Sequence, residues 1–415
     1  MKILHCPQKL SLSGAEFYFL RISEELAKRG HTVKISTSNA LDFINLRNPS
    51  EKIHQKTEEK INGLQINRFP IDYSFKSSLV ESILNSNIDD LIKYIKFFSF
   101  NINDLYKFLI NGPYSPQLFK NLLKTKADLI HSIAIPYASV LYSAIIGKIK
   151  EIPKICTPFY HFENPRYEFK SYINILNSHD FILTNSDAES NYLIKNGIIS
   201  QDKIRKIFMA VDVEKYQKTK NKWFLDLHEK KGPIILFCGH KNFEKGALTI
   251  LDSIPSVVKE IPNVQFVFIG PSTKAFIIKN KKLKKYKKNI LNLGVLPYFS
   301  KLKRGAFAVS DVYVMPSRSE AFGICYLEAW ASKKPVIGSN INAIQEIIQN
   351  EHDGLLTNFN DPLDLSKKII YMLKNEDLRE SMGKEGYNKI IKNGYTYKNL
   401  VNRIETIYKE ALDKY

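Results

Sequence analysis

The stretch that decides the fold is Met315-Pro-Ser-Arg-Ser-Glu-Ala-Phe-Gly-Ile-Cys-Tyr-Leu-Glu-Ala-Trp330, with Lys334-Pro-Val-Ile-Gly338 close behind it. It reads as the end of a strand, Val312-Tyr-Val-Met315, then a turn at Pro316-Ser317, then a helix entered after Gly323. Glu320 falls on the turn and Glu328 inside the helix. Were the spacing wholly helical, roughly 12 Å would separate the two along the axis. That is close to the span from the hydroxyls of a hexose to those of a ribose across a diphosphate. Ionised carboxylates only accept hydrogen bonds, and each can take two from a vicinal diol. Tyr326, Leu327, Ala329 and Trp330 flank Glu328, so its helix is expected to be largely buried. A carboxylate in such surroundings needs a specific partner, because an unpaired buried charge is costly.

Working outward, Glu320-Ala-Phe-Gly323, Glu328-Ala329 and Pro335-Val-Ile337 together resemble the Glu-x7-Glu signature of the retaining GT-B glycosyltransferases of family 4 (group 1). The resemblance implies that Glu320 approaches a donor sugar and that Glu328 holds the ribose of its nucleotide. Ala321, Phe322, Gly323 and Ile324 belong to the same donor-binding set. Upstream, the apolar run Pro233-Ile-Ile-Leu-Phe-Cys-Gly239 is followed by His240-Lys-Asn-Phe-Glu-Lys245-Gly246. The family has Gly-Arg, four residues and Lys-Gly at this place. Gly239, Lys245 and Gly246 match it, while His240 stands at the arginine position with Lys241 next to it. Negative charge builds on a leaving diphosphate oxygen as a glycosidic bond breaks, so a cation placed there is a catalyst in the electrostatic sense. Lys245 is the candidate. Histidine donates only if protonated or suitably oriented, and lysine lacks the planar fork of arginine. No metal or other cofactor is expected, since Lys245 can neutralise phosphate charge.

The rest of the chain fits two sheet-and-helix series. At 415 residues it exceeds the size at which one core stops growing. The opening reads as strand 2–5, a loop bearing Gly14, a helix from about Glu16 to Lys28, and the strand Val33-Lys-Ile-Ser-Thr37, a unit of the parallel, doubly wound kind. Backbone N–H groups of such a loop can approach a phosphate at a helix N-terminus, and the resemblance turns Gly14 toward the donor phosphates. Ala127-Asp-Leu-Ile-His131, Ile155-Cys-Thr-Pro-Phe-Tyr-His161 and Phe181-Ile-Leu-Thr-Asn-Ser186 each read as a strand with a polar tip, and strand tips line the crevice of such sheets. His131 and His161 are therefore candidate catalytic residues, with a structural role the alternative for each. His131 matches the first histidine of a His-x-His pattern common in relatives, and Ile133 stands where the second would be. The run from Tyr216 to Lys231 is polar and charged and reads as a linker. A second series of apolar runs follows, ending in a helical tail. The expected fold is α/β of the GT-B type, two doubly wound Rossmann-like domains facing across a cleft. Its expected parts are an acceptor domain over 1–215, a donor domain over 216–395, and a helix over 396–415 that crosses back to the first.

Composition narrows the partners. With 44% hydrophobic and 25% charged residues, no stretch nears the length of a membrane-spanning helix. Neither a long apolar run nor a cleavage site follows Met1, so no signal peptide is expected and a cytoplasmic protein is. The four cysteines Cys6, Cys156, Cys238 and Cys325 form no metal-ligand spacing and read as free thiols. The net charge of +19 partly follows a lysine-rich background, but Lys279-Asn-Lys-Lys-Leu-Lys-Lys-Tyr-Lys-Lys288 stands out. A solvated basic face is one reading and contact with an anionic membrane surface the sharper one. No nucleic-acid module is recognisable around it. An aromatic, basic stretch (Ile92, Lys93, Tyr94, Ile95, Lys96, Phe98, Phe100, Tyr106, Lys107, Phe108) reads as a helix that packs into the core or faces an acceptor or membrane. The resemblance implies a hexosyl-type transfer from a nucleotide-diphosphate sugar to a hydroxyl of a glycan or lipid-linked acceptor, with retention. Its rivals are a sugar-nucleotide epimerase of the same fold and a non-catalytic sugar-nucleotide or membrane-binding module.

Overall fold

The computed structural model describes the chain except residues 11–13, 44, 50–52, 74–107, 162–166, 168, 230 and 298–299. The aromatic, basic stretch thus lies outside the described residues, apart from Phe108, which is buried in the core. Two compact units emerge, one of Met1–Phe208 with Leu400–Tyr415 and one of Met209–Asn399.

In the first unit β1 (Lys2–Cys6), β2 (Thr32–Ser38), β3 (Glu58–Ile61), β4 (Leu64–Phe69), β5 (Leu129–Ile133), β6 (Lys154–Thr157), β7 (Phe181–Thr184) and β8 (Ile204–Lys206) form one sheet. Their order is β3-β4-β2-β1-β5-β6-β7-β8. All neighbours are parallel except the edge hairpin β3–β4. That hairpin turns on Asn62-Gly63, both at positive φ, as a two-residue turn of the primed type requires. Setting the edge strand aside, the strand order runs outward both ways from the neighbours β1 and β5, the signature of double winding. The helices Gly14–Lys28 and Ala138–Lys150 are buried along most of their length. The terminal helix Tyr397–Leu412 returns to this unit, burying Leu400, Val401, Ile404, Ile407, Tyr408 and Ala411. Those positions recur at helical spacing, which is why one stripe of an otherwise polar helix suffices to hold it.

The second unit holds β9 (Ile234–Cys238), β10 (Gln265–Ile269), β11 (Ile290–Gly294), β12 (Val312–Met315), β13 (Val336–Ser339) and β14 (Gly354–Thr357). The order β11-β10-β9-β12-β13-β14 is parallel throughout and is that of the Rossmann sheet. β9 and β12 are buried at every position, the mark of parallel strands covered on both faces. The charged stretch that begins at Tyr216 lies inside this unit, and there Tyr216 and Phe224 are buried. Winding reverses between β9 and β12. The two segments singled out in the sequence, 239–246 and 316–328, leave the carboxyl ends of those two strands.

Candidate functional site

At the switch point the two segments are locked together through backbone. Gly246 has φ +70°, and a Cβ there would lie 2.1 Å from the carbonyl oxygen of Pro316. Only glycine permits that approach. The Arg318 N–H donates to the Glu244 carbonyl at 2.8 Å, and Asn242 Oδ1 accepts from the Lys245 N–H at 2.8 Å. Lys245 Nζ is thereby brought to Glu320, donating to Oε1 at 2.6 Å, and Ser317 Oγ donates to the same oxygen at 3.0 Å. Glu320 keeps 8% of its surface exposed, and the Lys245 side chain 27%. The pair is within reach of solvent and can open.

Beyond Glu320, Ala321 and Phe322 are buried, with Phe322 edge-on to Tyr395, and Gly323 at φ +89° turns the chain into the helix Ile324–Ala331. Ile324 is partly exposed at its start. The Tyr326 hydroxyl donates to the Met315 carbonyl at 2.6 Å and Trp330 Nε1 to the Asp353 carbonyl at 2.9 Å. These bonds fix the helix against the sheet, with Glu328 wholly buried. Its carboxylate has the partner that burial demands. Lys303 Nζ donates to both oxygens, at 2.7 and 3.0 Å, and the Tyr216 hydroxyl donates to one at 2.5 Å. Burial works against the Lys303 ammonium, yet the Glu328 charge holds it above its ordinary value. Neither Lys303 nor Tyr216 was singled out in the sequence. Lys303 gave little signal, being one of three basic residues, with Lys301 and Arg304, that open the helix Lys301–Val309. Tyr216 heads a stretch whose charged composition hides it.

The two basic residues after Gly239 differ in placement. His240 is exposed, and partial desolvation with the Lys245 and Lys241 cations holds its ring below the ordinary histidine value. Lys241 is buried and turned toward β11, where Nζ donates to Asn292 Oδ1 at 2.5 Å and lies over the Phe276 ring. Burial lowers its pKa to about 8. Of the pair, His240 is the side chain presented to solvent. Cys238, Cys325 and Glu328 bring possible metal-ligand atoms within 4.8 Å of one another.

The first unit carries the remaining candidates. Gly14 is exposed at the first position of the helix Gly14–Lys28. His161 is partly exposed, its ring 5.6 Å from that of Tyr167. His131 is fully buried, with Nδ1 and the Tyr408 hydroxyl 2.6 Å apart and Nε2 and Thr157 Oγ1 2.9 Å apart. Tyr408 also lies 3.0 Å from His5 Nε2, whose Nδ1 meets Ser23 Oγ at 2.6 Å. Gly239, His240, Lys245, Gly246, the segment 320–324 and Glu328 thus share one unit, and Gly14, His131 and His161 belong to the other.

The lysine cluster spans the helix Lys274–Lys282 and the 3-10 turn Lys284–Asn289. Lys281, Lys282, Lys284, Lys285, Lys287 and Lys288 are exposed beside exposed Ile277 and Ile278. Among the described residues no helix is long and apolar enough to cross a membrane.

Both parts of the chain match known protein families. Residues 218–389 match the family described as glycosyl transferases group 1, and residues 12–215 the one described as glycosyltransferase family 4. An uncharacterized glycosyltransferase of Methanocaldococcus jannaschii is 26% identical over 71% of this chain and 79% of its own. The Escherichia coli UDP-Gal:alpha-D-GlcNAc-diphosphoundecaprenol alpha-1,3-galactosyltransferase is 26% identical over 70% of this chain and 77% of its own. Among solved structures, Anabaena HepE in complex with UDP and glucose superposes with a TM-score of 0.74 at 16% identity over 99% of each chain.

Proposed function

Because the chain belongs to the group 1, family 4 glycosyltransferases and has their GT-B fold, we propose that it moves a hexosyl-type sugar from a nucleotide-diphosphate sugar to an acceptor hydroxyl with retention of anomeric configuration. The observation that carries this reading is the Lys245–Glu320 pair, held at 2.6 Å where the winding of the second unit reverses. A donor diphosphate laid against the 239–246 turn competes for Lys245 and releases Glu320 toward the sugar. As the bond from the anomeric carbon to the phosphate oxygen breaks, Lys245 offsets the charge that builds on that oxygen. The acceptor oxygen then bonds the anomeric carbon from the same face, and its proton passes to the departing diphosphate. Gly246 and segment 321–324 line the donor, and Gly239 with His240 faces its phosphates.

Glu328 holds the ribose in this reading. It has no exposed surface, so the Tyr216 hydroxyl must swing aside before a ribose diol can replace it. Lys303 remains on both carboxylate oxygens while that exchange occurs. No metal is required: Lys245 supplies positive charge at the phosphates, and both Glu328 oxygens are already held by an ammonium. His131 has both ring nitrogens engaged in the core, which favours a positioning role in the sheet over proton transfer. His161, partly exposed past the tip of β6, is the better candidate to meet an acceptor. Gly14 opens a helix whose N-terminus suits a phosphate.

UDP-sugars are the first donors to try, given the UDP in the HepE complex and the UDP-galactose in the name of the E. coli relative. That relative's name also points to a lipid-linked acceptor, and the exposed lysines with Ile277 and Ile278 suit contact with an anionic membrane surface. The test is turnover of a nucleotide-sugar panel on lipid-linked and polysaccharide acceptors, with product configuration read by NMR. A retained product formed equally with and without EDTA supports the reading. An epimerised sugar nucleotide from donor alone, or binding without turnover, overturns it. Full turnover in His161→Ala removes His161 from the mechanism.

A further inference from the structure

β9 ends on Cys238, and the helix Ile324–Ala331 carries Cys325 in its first turn. Two of the chain's four cysteines, remote in sequence, therefore meet where the winding reverses. Their sulfurs and a Glu328 oxygen lie within 4.8 Å of one another. The ligand types are those of a metal site, but Lys303 already holds both carboxylate oxygens. A cation would have to displace an ammonium that also repels it. Joining the two sulfurs requires no such displacement.

Closing a disulfide brings the sulfurs to about 2.05 Å, reached by rotating both side chains and drawing the helix start toward β9. The pair is not sealed, since Cys325 is partly exposed. The neighbouring Cys325 thiol, with the Lys303 and Lys241 cations, holds Cys238 below the ordinary thiol value in spite of burial. Cys6 and Cys156, in the other unit, are buried and pushed up by desolvation, Cys6 to about 12. One pair of the four is set apart by geometry and access. Within it Cys238 is the thiolate, since the Cys238 sulfur, burial and the Glu328 charge hold the Cys325 thiol well above its ordinary value.

We propose that Cys238 and Cys325 are an oxidisable pair that a hydroperoxide closes to a disulfide, pinning the 239–246 turn to the helix that carries Glu328. The Cys238 thiolate attacks a peroxide oxygen, the O–O bond breaks, and a sulfenic acid forms as one water leaves. Cys325 sulfur then attacks Cys238 sulfur, and the hydroxyl departs as a second water with the thiol proton. Two thiols and one hydrogen peroxide give one disulfide and two waters. The consequence, which rests on the donor-site reading above, is regulation: the bond drags the first turn of the helix from the position that presents segment 320–328, and donor affinity falls.

The full-length protein is treated with a small excess of hydrogen peroxide, denatured, alkylated with N-ethylmaleimide and mapped by mass spectrometry. Two thiols should escape alkylation, and a peptide linking Cys238 to Cys325 should appear. Dithiothreitol should reverse the link, and Cys238→Ser and Cys325→Ser should each abolish it. Calorimetry should show UDP binding about tenfold weaker after oxidation and restored on reduction. Four alkylated thiols, a sulfinic acid in place of the link, or a link through Cys6 or Cys156 overturns the pairing. A link that leaves UDP affinity unchanged overturns the regulation. Reduced protein that binds neither UDP nor any other nucleoside diphosphate overturns the donor-site reading instead, while the linked peptide still decides the pairing.

Discussion

Each unit buries a polar cluster beside its sheet, and the two clusters solve the cost of burial differently. Around Tyr408, the first unit places His5 and His131 as neutral rings whose nitrogens meet hydroxyls. Burial takes His5 to about 3 and His131 well below its ordinary value, the latter with help from His5 and His179. Around Glu328, the second unit keeps a full charge and matches it with the Lys303 ammonium. A neutral cluster satisfies hydrogen bonds and fastens the terminal helix. An ion pair also stores charge where the chain leaves its strands, and a second, more open pair, Lys245–Glu320, lies on the neighbouring turn. The contrast is between these two clusters and not between whole units, since the first unit also buries an ion pair, Lys9–Glu16.

The sharpest way to break this contrast is Lys303→Met. It strands a buried carboxylate, and chemical denaturation should show about 3–5 kcal/mol of lost stability. Lys303→Met combined with Glu328→Leu should regain most of that loss while leaving donor binding impaired. Lys245→Gln should act in the opposite way. Its pair is partly solvated and should contribute no more than about 1 kcal/mol to folding, whereas turnover should fall about 10²- to 10³-fold. Steady-state kinetics alongside thermal unfolding would separate the two pairs.

Acid addresses the neutral cluster. His5, His131 and His179 are held below their ordinary value in the fold, so the unfolded chain takes up protons first as pH drops. Stability is therefore intact above the ordinary histidine range and declines from about pH 6.5 downward, by about 1.4 kcal/mol per pH unit for each such ring. The decline from His5 continues to about pH 3. Urea midpoints measured from pH 7 to pH 4 should show it, and His5→Gln should shallow it. The smallest effect concerns His240. Its ring is neutral at pH 7 and gains charge only as pH falls, so donor affinity should tighten in acid in the wild type and not in His240→Gln. His240→Arg should tighten binding about threefold to tenfold at pH 7.

The second unit was legible because its strands are continuous apolar runs ending in Gly or Pro, and its turns carry residues that tolerate few substitutes. Gly246 and Glu320 were picked out because the residues at the ends of those runs match the motifs of the family the chain resembles. What stayed hidden depends on pairing across the sheet. Lys303 and Tyr216 converge on Glu328 from other elements, and Cys238 reaches Cys325 only because β9 neighbours β12. His131 stands at the tip of a strand in sequence but inside the core in space, since the terminal helix lays Tyr408 against it. The Asn62-Gly63 hairpin was a local signal that the irregular composition around it obscured.

In the proposed function the Lys245-bearing turn receives the diphosphate of a sugar nucleotide. Calorimetric titration of a nucleotide-sugar panel into wild type and Lys245→Gln tests it most directly. One donor should bind the wild type and bind the variant at least about tenfold more weakly. Equal affinity in the two proteins, or a wild type that binds none of the panel, would contradict it.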